Sequence, residues 1–294
     1  MLDEEQFRNI VAACAPELKL TSARPFAQGW DFELWEANGE LLFRFPKRAE
    51  CAEALVIEAK LLRELAPALN TPVPEPVHVS DGIDAFPMPF FSYRYLPGEL
   101  LRRAPDGGDV AAETGAFLSE LHRFPAQRAT ELGVQTFSAE SWRDDYVAFR
   151  ERTDKEVTCL LSADEQQIVA AFWDGFLGDD RNFQFRPVLI HADLGLEHLL
   201  VDGDRKHLLG VIDFGDARVG DPALDFVVFN STFGDAVLAA YDGDIDETFE
   251  YRSRAYLQIG PFHEVIYGQE TDQPEFISSG LEGIRARIVR AFKA

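Results

Sequence analysis

Residues 188–216 constrain the fold of this chain more than any other stretch, because three short apolar runs there lead into or out of polar side chains. The first run ends at His191 and Asp193, and the third ends at Asp213. His198 stands five residues after Asp193 and opens the second run. Runs of this length predict short buried strands, whose ends hold side chains rigidly with exposed tips. The stretch therefore predicts a site built from strand ends.

The residue types in this stretch suit phosphoryl transfer. That reaction needs an acceptor hydroxyl held in line and metal ions that neutralise the phosphate oxygens. Asp193 would orient the hydroxyl and receive its proton, whereas His198 and Asp213 could place a nitrogen and an oxygen on one Mg²⁺. A single buried His or a single Asp before a turn is usually structural. The three together, each beside an apolar strand, predict a catalytic site.

The first hundred residues predict a small sheet with one main helix. Residues 19–46 have β character, and Asn38-Gly39 between apolar runs is a strong hairpin signal. Residues 49–66 carry apolar side chains at helical spacing. Further short strands are predicted near residues 77–79 and 90–96, before Pro97-Gly98.

The remainder is predicted to be mostly helical, apart from the strands of residues 188–214. Helices are expected near residues 108–122, 138–150, 162–178, 221–242 and 246–292, the last broken more than once. The pattern predicts an α+β protein with two lobes. Residues 1–97 would form one lobe, and residues 98–294 would form the other and carry the site of residues 188–216.

The charge composition limits the classes of molecule that this chain is expected to bind. Lys and Arg number 28 against 51 Asp and Glu, a formal net charge of −23, which disfavours nucleic acid and anionic membranes and favours a cationic partner. The sequence has no run of 18 apolar residues, so it predicts no membrane span. The acidic start resembles no signal peptide, and Cys14, Cys51 and Cys159 suit reduced thiols. We therefore expect a cytoplasmic protein, monomeric or weakly dimeric.

The motif of residues 191–198 resembles the signature of the aminoglycoside phosphotransferase family, His-x-Asp-x-x-x-x-Asn, with His198 in place of the usual Asn. Macrolide 2′-phosphotransferases and one branch of aminoglycoside 2″-phosphotransferases are similar in having His there. The resemblance implies a two-lobed protein-kinase-like fold. Residues 1–97 would be a small antiparallel sheet lobe that binds the nucleotide, and residues 98–294 a larger helical lobe with the catalytic loop, metal site and acceptor site. The resemblance also implies Asp193 as catalytic base, and His191, Asp221 and Asp225 as structural support of the site.

The resemblance extends to the phosphate-binding side of the first lobe. Residues 29–32, which include Gly29 and Asp31, resemble the hairpin that covers the phosphates. Arg44 stands where the family usually has a phosphate-binding Lys, and Glu58 matches its helix partner. Lys47 remains an alternative phosphate contact.

The purine base would lie against Tyr93, Arg94 and Leu96, which match the hinge between the lobes. The cofactors implied are Mg²⁺ and a nucleoside triphosphate, GTP or ATP. Tyr93 is a bulky aromatic at the hinge, and we expect GTP to be used at least as well as ATP. An aromatic ring there would shift the purine relative to the hinge backbone.

The acceptor implied is the hydroxyl of a small molecule, cationic or sugar-bearing, such as an aminoglycoside or macrolide antibiotic. Asp216 and Glu264 are the predicted acceptor contacts. Two alternatives remain open. A catalytically silent binding protein could retain the fold without turnover. A metallohydrolase could use His191, Asp193, His198 and Asp213 on one ion, but that reading leaves Arg44, Glu58 and the hinge unexplained.

Overall fold

The first lobe is a five-stranded antiparallel sheet with a helix on each face, in a computed structural model that describes residues 2–29, 31–105, 107–229 and 232–293. The strands run in the order β1-β2-β3-β5-β4. They are β1 (Ala23–Gln28), β2 (Phe32–Ala37), β3 (Leu41–Pro46), β4 (Pro76–Ser80) and β5 (Phe90–Arg94), and the helices are α1 (Glu4–Cys14) and α2 (Ala52–Leu65).

Two local sequence signals explain how this lobe begins. Asp3 caps α1, since its side chain accepts from the Gln6 N–H and the Gln6 side chain accepts from the Asp3 N–H. Asn38 and Gly39 join β2 to β3 with φ values of 59° and 72°. Both values suit the tight hairpin turn that the sequence predicts, and that prediction is confirmed.

Alternation along β3 decides what each of its side chains contacts. Phe43 and Phe45 pack with Phe7 of α1 on one face of the sheet. Leu42 packs on the opposite face, in the core that α2 shares with the second lobe. Arg44 lies on this second face, so the strand points a guanidinium at the space between the lobes.

The second lobe contains the remaining helices and two small antiparallel sheets, β6-β8-β9 and β7-β10. Its strands are β6 (Glu99–Leu100), β7 (Val188–Ile190), β8 (Leu199–Val201), β9 (Leu208–Val211) and β10 (Arg218–Gly220). Its helices are α3 (Val110–Arg123), α4 (Ala126–Glu131), α5 (Ala139–Glu156), α6 (Ala163–Gly178), α7 (Thr232–Ala240), α8 (Phe249–Glu270), α9 (Pro274–Ile284) and α10 (Arg290–Lys293).

The predicted helix over residues 221–242 is wrong in detail. Residues Pro222–Phe229 form a 3₁₀ helix, and α7 follows as a separate element. The long C-terminal helix breaks, as predicted, where Asp272 adopts φ 54° and Pro274 starts α9. Within the described residues, no helix combines the length and apolar character that crossing a lipid bilayer requires.

Candidate active site

A cleft of about 700 Å³ separates the five-stranded sheet from the loops of the second lobe. Its two ends differ in chemistry, because apolar side chains line one end and charged side chains line the other. The apolar end is formed by Phe26, Leu34, Leu42, Tyr93, Tyr95, Leu96, Leu100, Leu200 and Ile212. The charged end is formed by Asp31, Arg44, Arg48, Glu50, Asp213 and Asp216.

The loop that carries Asp193 leaves β7 through an unusual backbone conformation. Ala192 has φ 68°, which is unfavourable for a residue with a Cβ. The Asp225 carboxylate fixes the chain there by accepting from the His191 N–H at 2.9 Å and the Ala192 N–H at 2.7 Å. Two charge-assisted hydrogen bonds thus hold the loop in a conformation that it would otherwise leave.

Asp225 is itself held by His122 of α3, a residue that the sequence did not point to. Its Nε2 lies 3.0 Å from Asp225 Oδ2, and its Nδ1 lies 2.7 Å from the Tyr241 hydroxyl. All three side chains are buried. His122 stands 103 residues before Asp225, so only the fold brings the two together.

His191 braces the loop from the inside. Its side chain is buried, and Nε2 donates to the main-chain oxygen of Ile212 at 3.0 Å. Burial lowers the pKa of His191, so the ring is neutral. The hydrogen bond ties the Asp193 loop to the residue that directly precedes Asp213.

His198 lies beside Asp213, which lines the cleft. His198 Nδ1 lies 2.6 Å from the main-chain oxygen of Asp193 and therefore donates to it. This bond leaves the lone pair of Nε2 directed at Asp213, whose Oδ2 lies 3.8 Å away. Two ligands of one small cation can be this far apart, and a metal-binding His commonly donates its other N–H to a carbonyl. The pair could therefore hold a small divalent cation.

Asp193 lies beside His198, with its Oδ2 4.0 Å from His198 Nδ1. Its side chain is 62% exposed and lies close to three other carboxylates. Desolvation raises the pKa of Asp193; the neighbouring His198 opposes the rise, and Asp216 and Asp213 add to it. The group is thus a more basic carboxylate than usual, within reach of a bound molecule.

Arg44 joins the two lobes. Its Nη1 lies 3.2 Å from Glu58 Oε1 on α2, and its Nη2 lies 3.0 Å from Asp213 Oδ1. Its guanidinium also lies over the Phe32 ring, 4.2 Å from the centroid. Burial alone would lower the pKa of Arg44, but Glu58 and Asp213 outweigh it and raise that pKa. The guanidinium remains charged.

The same contacts set the pKa of Asp213, the carboxylate that lies next to both Arg44 and His198. Burial alone would raise the pKa of Asp213, but the charge of Arg44, together with the neighbouring His198, prevails and holds that pKa below its usual value. Asp213 has φ 69°, so its backbone, like that of Ala192, is in the left-handed region. Asp213 is therefore an ionised carboxylate in a constrained position.

The structure separates the two predicted phosphate-binding cations. Arg44 lines the cleft, whereas the exposed Lys47 directs its Nζ to the main-chain oxygen of Gly29 at 2.5 Å. Lys47 N–H also donates to the main-chain oxygen of Asp31 at 2.8 Å. Lys47 thus pins the turn between β1 and β2. Trp30, within the predicted phosphate-covering motif, lies outside the described residues.

At the hinge, Tyr93 is buried and lines the cleft with Leu96, while the Arg94 side chain is exposed. The sequence did not point to an aromatic pair beside them, Phe26 and Tyr95, whose ring centroids are 5.8 Å apart. Both side chains are partly exposed at the apolar end of the cleft. They provide flat surfaces of the kind on which a purine could stack.

The two predicted acceptor contacts have different surroundings. Asp216 lines the cleft, and its carboxylate lies 3.4 Å from Arg218. Glu264 of α8 instead accepts a hydrogen bond from the Ser279 hydroxyl of α9. Asp221, predicted to be structural, is buried and accepts from the Ala223 N–H at 3.0 Å, at the start of the 3₁₀ helix.

Residues 22–261 match the model of the phosphotransferase enzyme family. The chain belongs to this family. The resemblance inferred from residues 191–198 is thereby confirmed, and the match also covers the five-stranded sheet and α3–α7. It includes both ends of the cleft.

Solved structures share the fold of this phosphotransferase family member. The aminoglycoside phosphotransferase APH(2″)-IIIa, in complex with GDP and kanamycin, superposes with a TM-score of 0.85 at 24% identity, over 97% of this chain and 98% of that chain. A macrolide 2′-phosphotransferase of Brachybacterium faecium gives a TM-score of 0.75 at 23% identity, over 95% and 98% of the two chains. The predicted two-lobed, kinase-like fold is confirmed.

A relative with a known activity is similar over most of its length. Viomycin phosphotransferase of Streptomyces vinaceus is 24% identical over 258 residues, which span 82% of this chain and 85% of the relative. The similarity is therefore not confined to the motif of residues 191–198.

Proposed function

We propose that this chain transfers the γ-phosphate of a nucleoside triphosphate to a hydroxyl group of a small molecule. The observation that carries the proposal is the position of Asp213, which contacts Arg44 at 3.0 Å and lies 3.8 Å from His198. One carboxylate thus links a buried cation suited to phosphate with a nitrogen suited to a metal ion. Asp193 lies beside both.

Mg²⁺ would be held by Asp213 and His198. When bound, it would neutralise charge on the phosphate oxygens. Arg44 would bind phosphate oxygens through its forked guanidinium while Glu58 holds its other end. Tyr93, Leu96 and the backbone at Arg94 would hold the purine, and Gly29 and Asp31 would belong to the turn above the phosphates.

Asp193 would orient the acceptor hydroxyl and take its proton. As the acceptor oxygen bonds to the γ-phosphorus, the bond from that phosphorus to the β–γ bridging oxygen breaks. The nucleoside diphosphate leaves with the bonding electrons, and the proton stays on Asp193. The raised pKa of Asp193 supports this role, because a more basic carboxylate accepts a proton more readily. His191, Asp221 and Asp225 would hold the loop and take no part in the chemistry.

The acceptor we propose is an aminoglycoside or macrolide antibiotic, or a related sugar-bearing molecule, so that the enzyme would confer antibiotic resistance. Support comes from the kanamycin complex, the macrolide phosphotransferase and the viomycin phosphotransferase among the similar proteins. Asp216, at the charged end of the cleft, is the proposed contact for an amino group. The contact of Glu264 with Ser279 makes Glu264 a weaker candidate.

The two alternatives make different demands. A one-metal hydrolase needs His191 as a ligand, but His191 Nε2 donates to Ile212, and the whole side chain is buried. A silent binding protein would not need Asp193, His198 and Asp213 together. The geometry therefore favours a kinase over both.

We also propose that the lobes meet at residues 97–98, because β6 already pairs with β8 of the second lobe.

A screen of acceptors tests the proposal. Nucleotide consumption would be measured with GTP and ATP, in Mg²⁺, against a panel of aminoglycosides, macrolides and sugar alcohols. We expect at least one acceptor to stimulate consumption and to gain a phosphoryl group. Tight binding of a transition metal without nucleotide, together with acceptor-independent hydrolysis, would favour the metallohydrolase instead.

A further inference from the structure

The turn between β1 and β2 is fastened to the segment that follows β3. Two of the contacts come from Lys47, which holds the main-chain oxygens of Gly29 and Asp31. A third is an ion pair between the Arg48 guanidinium and the Asp31 carboxylate. The Cys51 thiol also donates to Asp31 Oδ1, at 3.1 Å. The Asp31 carboxylate is thus the point at which side chains of both segments meet.

Arg48 differs from Lys47 because it lines the cleft. Its side chain is 47% exposed, and that of Asp31 is 37% exposed. Ion pairs this accessible contribute little stability, because water competes for both partners. A stronger anion that enters the cleft could therefore take the guanidinium from Asp31.

The charge balance of the cleft favours such an exchange when a triphosphate binds. Among the described residues that line the cleft, the cations are Arg44 and Arg48, and the acids are Asp31, Glu50, Asp213 and Asp216. Arg44 is already shared between Glu58 and Asp213. Without a second cation, a triphosphate would face more negative than positive charge, even with one divalent ion bound.

We propose that Arg48 binds the terminal phosphates of the nucleotide, and that Asp31 holds Arg48 in position while the cleft is empty. The inference rests on the proposed function and adds a phosphate contact to it. Asp31 then acts through Arg48 and competes with the nucleotide for it. Guanidinium groups pair with phosphate oxygens through two parallel hydrogen bonds, which favours the exchange.

The inference predicts a dependence on the number of phosphates. Affinities for GTP, GDP and guanosine, and for the adenine series, would be measured by calorimetry in wild-type protein and in the Arg48→Gln variant. We expect Arg48→Gln to weaken triphosphate binding by about tenfold to a hundredfold, the usual loss for a hydrogen bond to a charged group. Nucleoside binding should be unchanged, because the purine lies at the other end of the cleft.

A matched control removes a cation elsewhere. Arg63 is exposed on α2, so Arg63→Gln changes the net charge equally without touching the cleft and should leave all three affinities unchanged. Asp31→Asn removes the competing carboxylate and should tighten triphosphate binding. Thermal unfolding of each variant would confirm that it is folded.

Two results would overturn the inference. One is a triphosphate affinity that Arg48→Gln leaves intact in a protein that binds nucleotides normally. The other is an equal loss for triphosphate and nucleoside, which would indicate a purely structural role. If the wild-type protein binds no nucleotide, the proposed function itself fails, and this inference fails with it.

Discussion

At the scale of single residues, His198 and Asp213 share one predicted ion but differ in what else they hold. Asp213 also pairs with Arg44, whereas His198 uses its second nitrogen on the main chain of Asp193. Asp213→Ala removes the anionic ligand and leaves a buried guanidinium with one partner fewer. We expect Mg²⁺-dependent nucleotide binding to weaken by about a hundredfold or more, as when one partner of a buried charge pair is removed.

The variant His198→Asn should be milder, because an amide oxygen can replace the imidazole nitrogen as a neutral ligand. We expect a loss of about tenfold or less, the usual range for one neutral hydrogen-bonding group. Nucleotide titrations at several Mg²⁺ concentrations would measure both variants. A loss in His198→Asn as large as that in Asp213→Ala would contradict the assigned roles.

A second prediction at this scale concerns Tyr93 and the choice between GTP and ATP. The Tyr93 ring is buried at the inner end of the hinge, and it lines the cleft. By displacing the purine, the ring would set the hinge backbone opposite the polar edge of guanine, and each mismatched edge costs about 1–3 kcal/mol. We therefore expect GTP to be used at least as well as ATP in competition at equal Mg²⁺.

Two variants check this cause. Tyr93→Ala should relax the preference, whereas Tyr95→Ala should weaken both purines alike, because Tyr95 offers only a stacking surface near the cleft mouth. Exclusive use of ATP that Tyr93→Ala leaves unchanged would show that Tyr93 does not set the purine register.

Sequence patterns revealed residues whose signal is local and missed those whose partners are distant. Asp193, His198 and Asp213 stand beside apolar runs, and the structure places the three side chains next to one another. His122 and Asp225 meet only in the folded chain, and no periodicity signals such a pair. Arg48 could have been proposed from the sequence, because it and Lys47 are adjacent cations directly after β3. The sequence does not show that the two side chains point in different directions, Lys47 to the main chain of Gly29 and Arg48 to Asp31.

At the scale of elements, a buried ion pair fastens α8 to the region behind the catalytic loop. Arg252 is fully buried, and its Nε and Nη2 lie 2.6 Å and 3.1 Å from the two oxygens of Asp221. The same guanidinium binds Asp246 at 2.8 Å. Arg252→Met would leave the Asp221 carboxylate buried without its cation, which we expect to reduce the free energy of unfolding by about 3–5 kcal/mol.

Chemical denaturation would measure this loss. Arg254, two residues along α8, provides the control, since its pair with Glu250 is exposed and lies 3.2 Å apart. Arg254→Met should change stability by no more than about 0.5 kcal/mol. Equal effects of the two variants would contradict the account of how α8 is attached.

The same helix shows why some elements could not be predicted. Pro261 lies inside α8 and cannot donate to the main-chain oxygen of Leu257, which favours a helix break in the sequence. The helix nevertheless continues, and Arg287 Nη1 donates to that oxygen at 2.7 Å in place of the missing N–H. Arg287 lies in a π-helical turn, residues Arg285–Val289, so the replacement donor comes from a distant part of the chain.

At the scale of the whole molecule, the division into a sheet lobe and a helical lobe was predictable, because it follows from patterns that recur within short stretches of sequence. Alternating apolar residues and an Asn-Gly turn form the sheet, and helical spacing forms the second lobe. The cleft volume and the partners of Asp213 depend on how the lobes meet, which sequence periodicity does not encode. The net charge of −23 belongs to this scale too, because it favours a cationic acceptor over an anionic one.

The central claim is that Asp193 takes the proton in a phosphoryl transfer, and the variant Asp193→Asn tests it most directly. The amide keeps the size of the side chain but cannot accept the proton. Phosphorylated acceptor and nucleotide affinity would both be measured for this variant and the wild-type protein. We expect turnover to fall by about 10²–10⁴-fold, with nucleotide affinity nearly unchanged. A variant that retains most of its turnover would contradict the account.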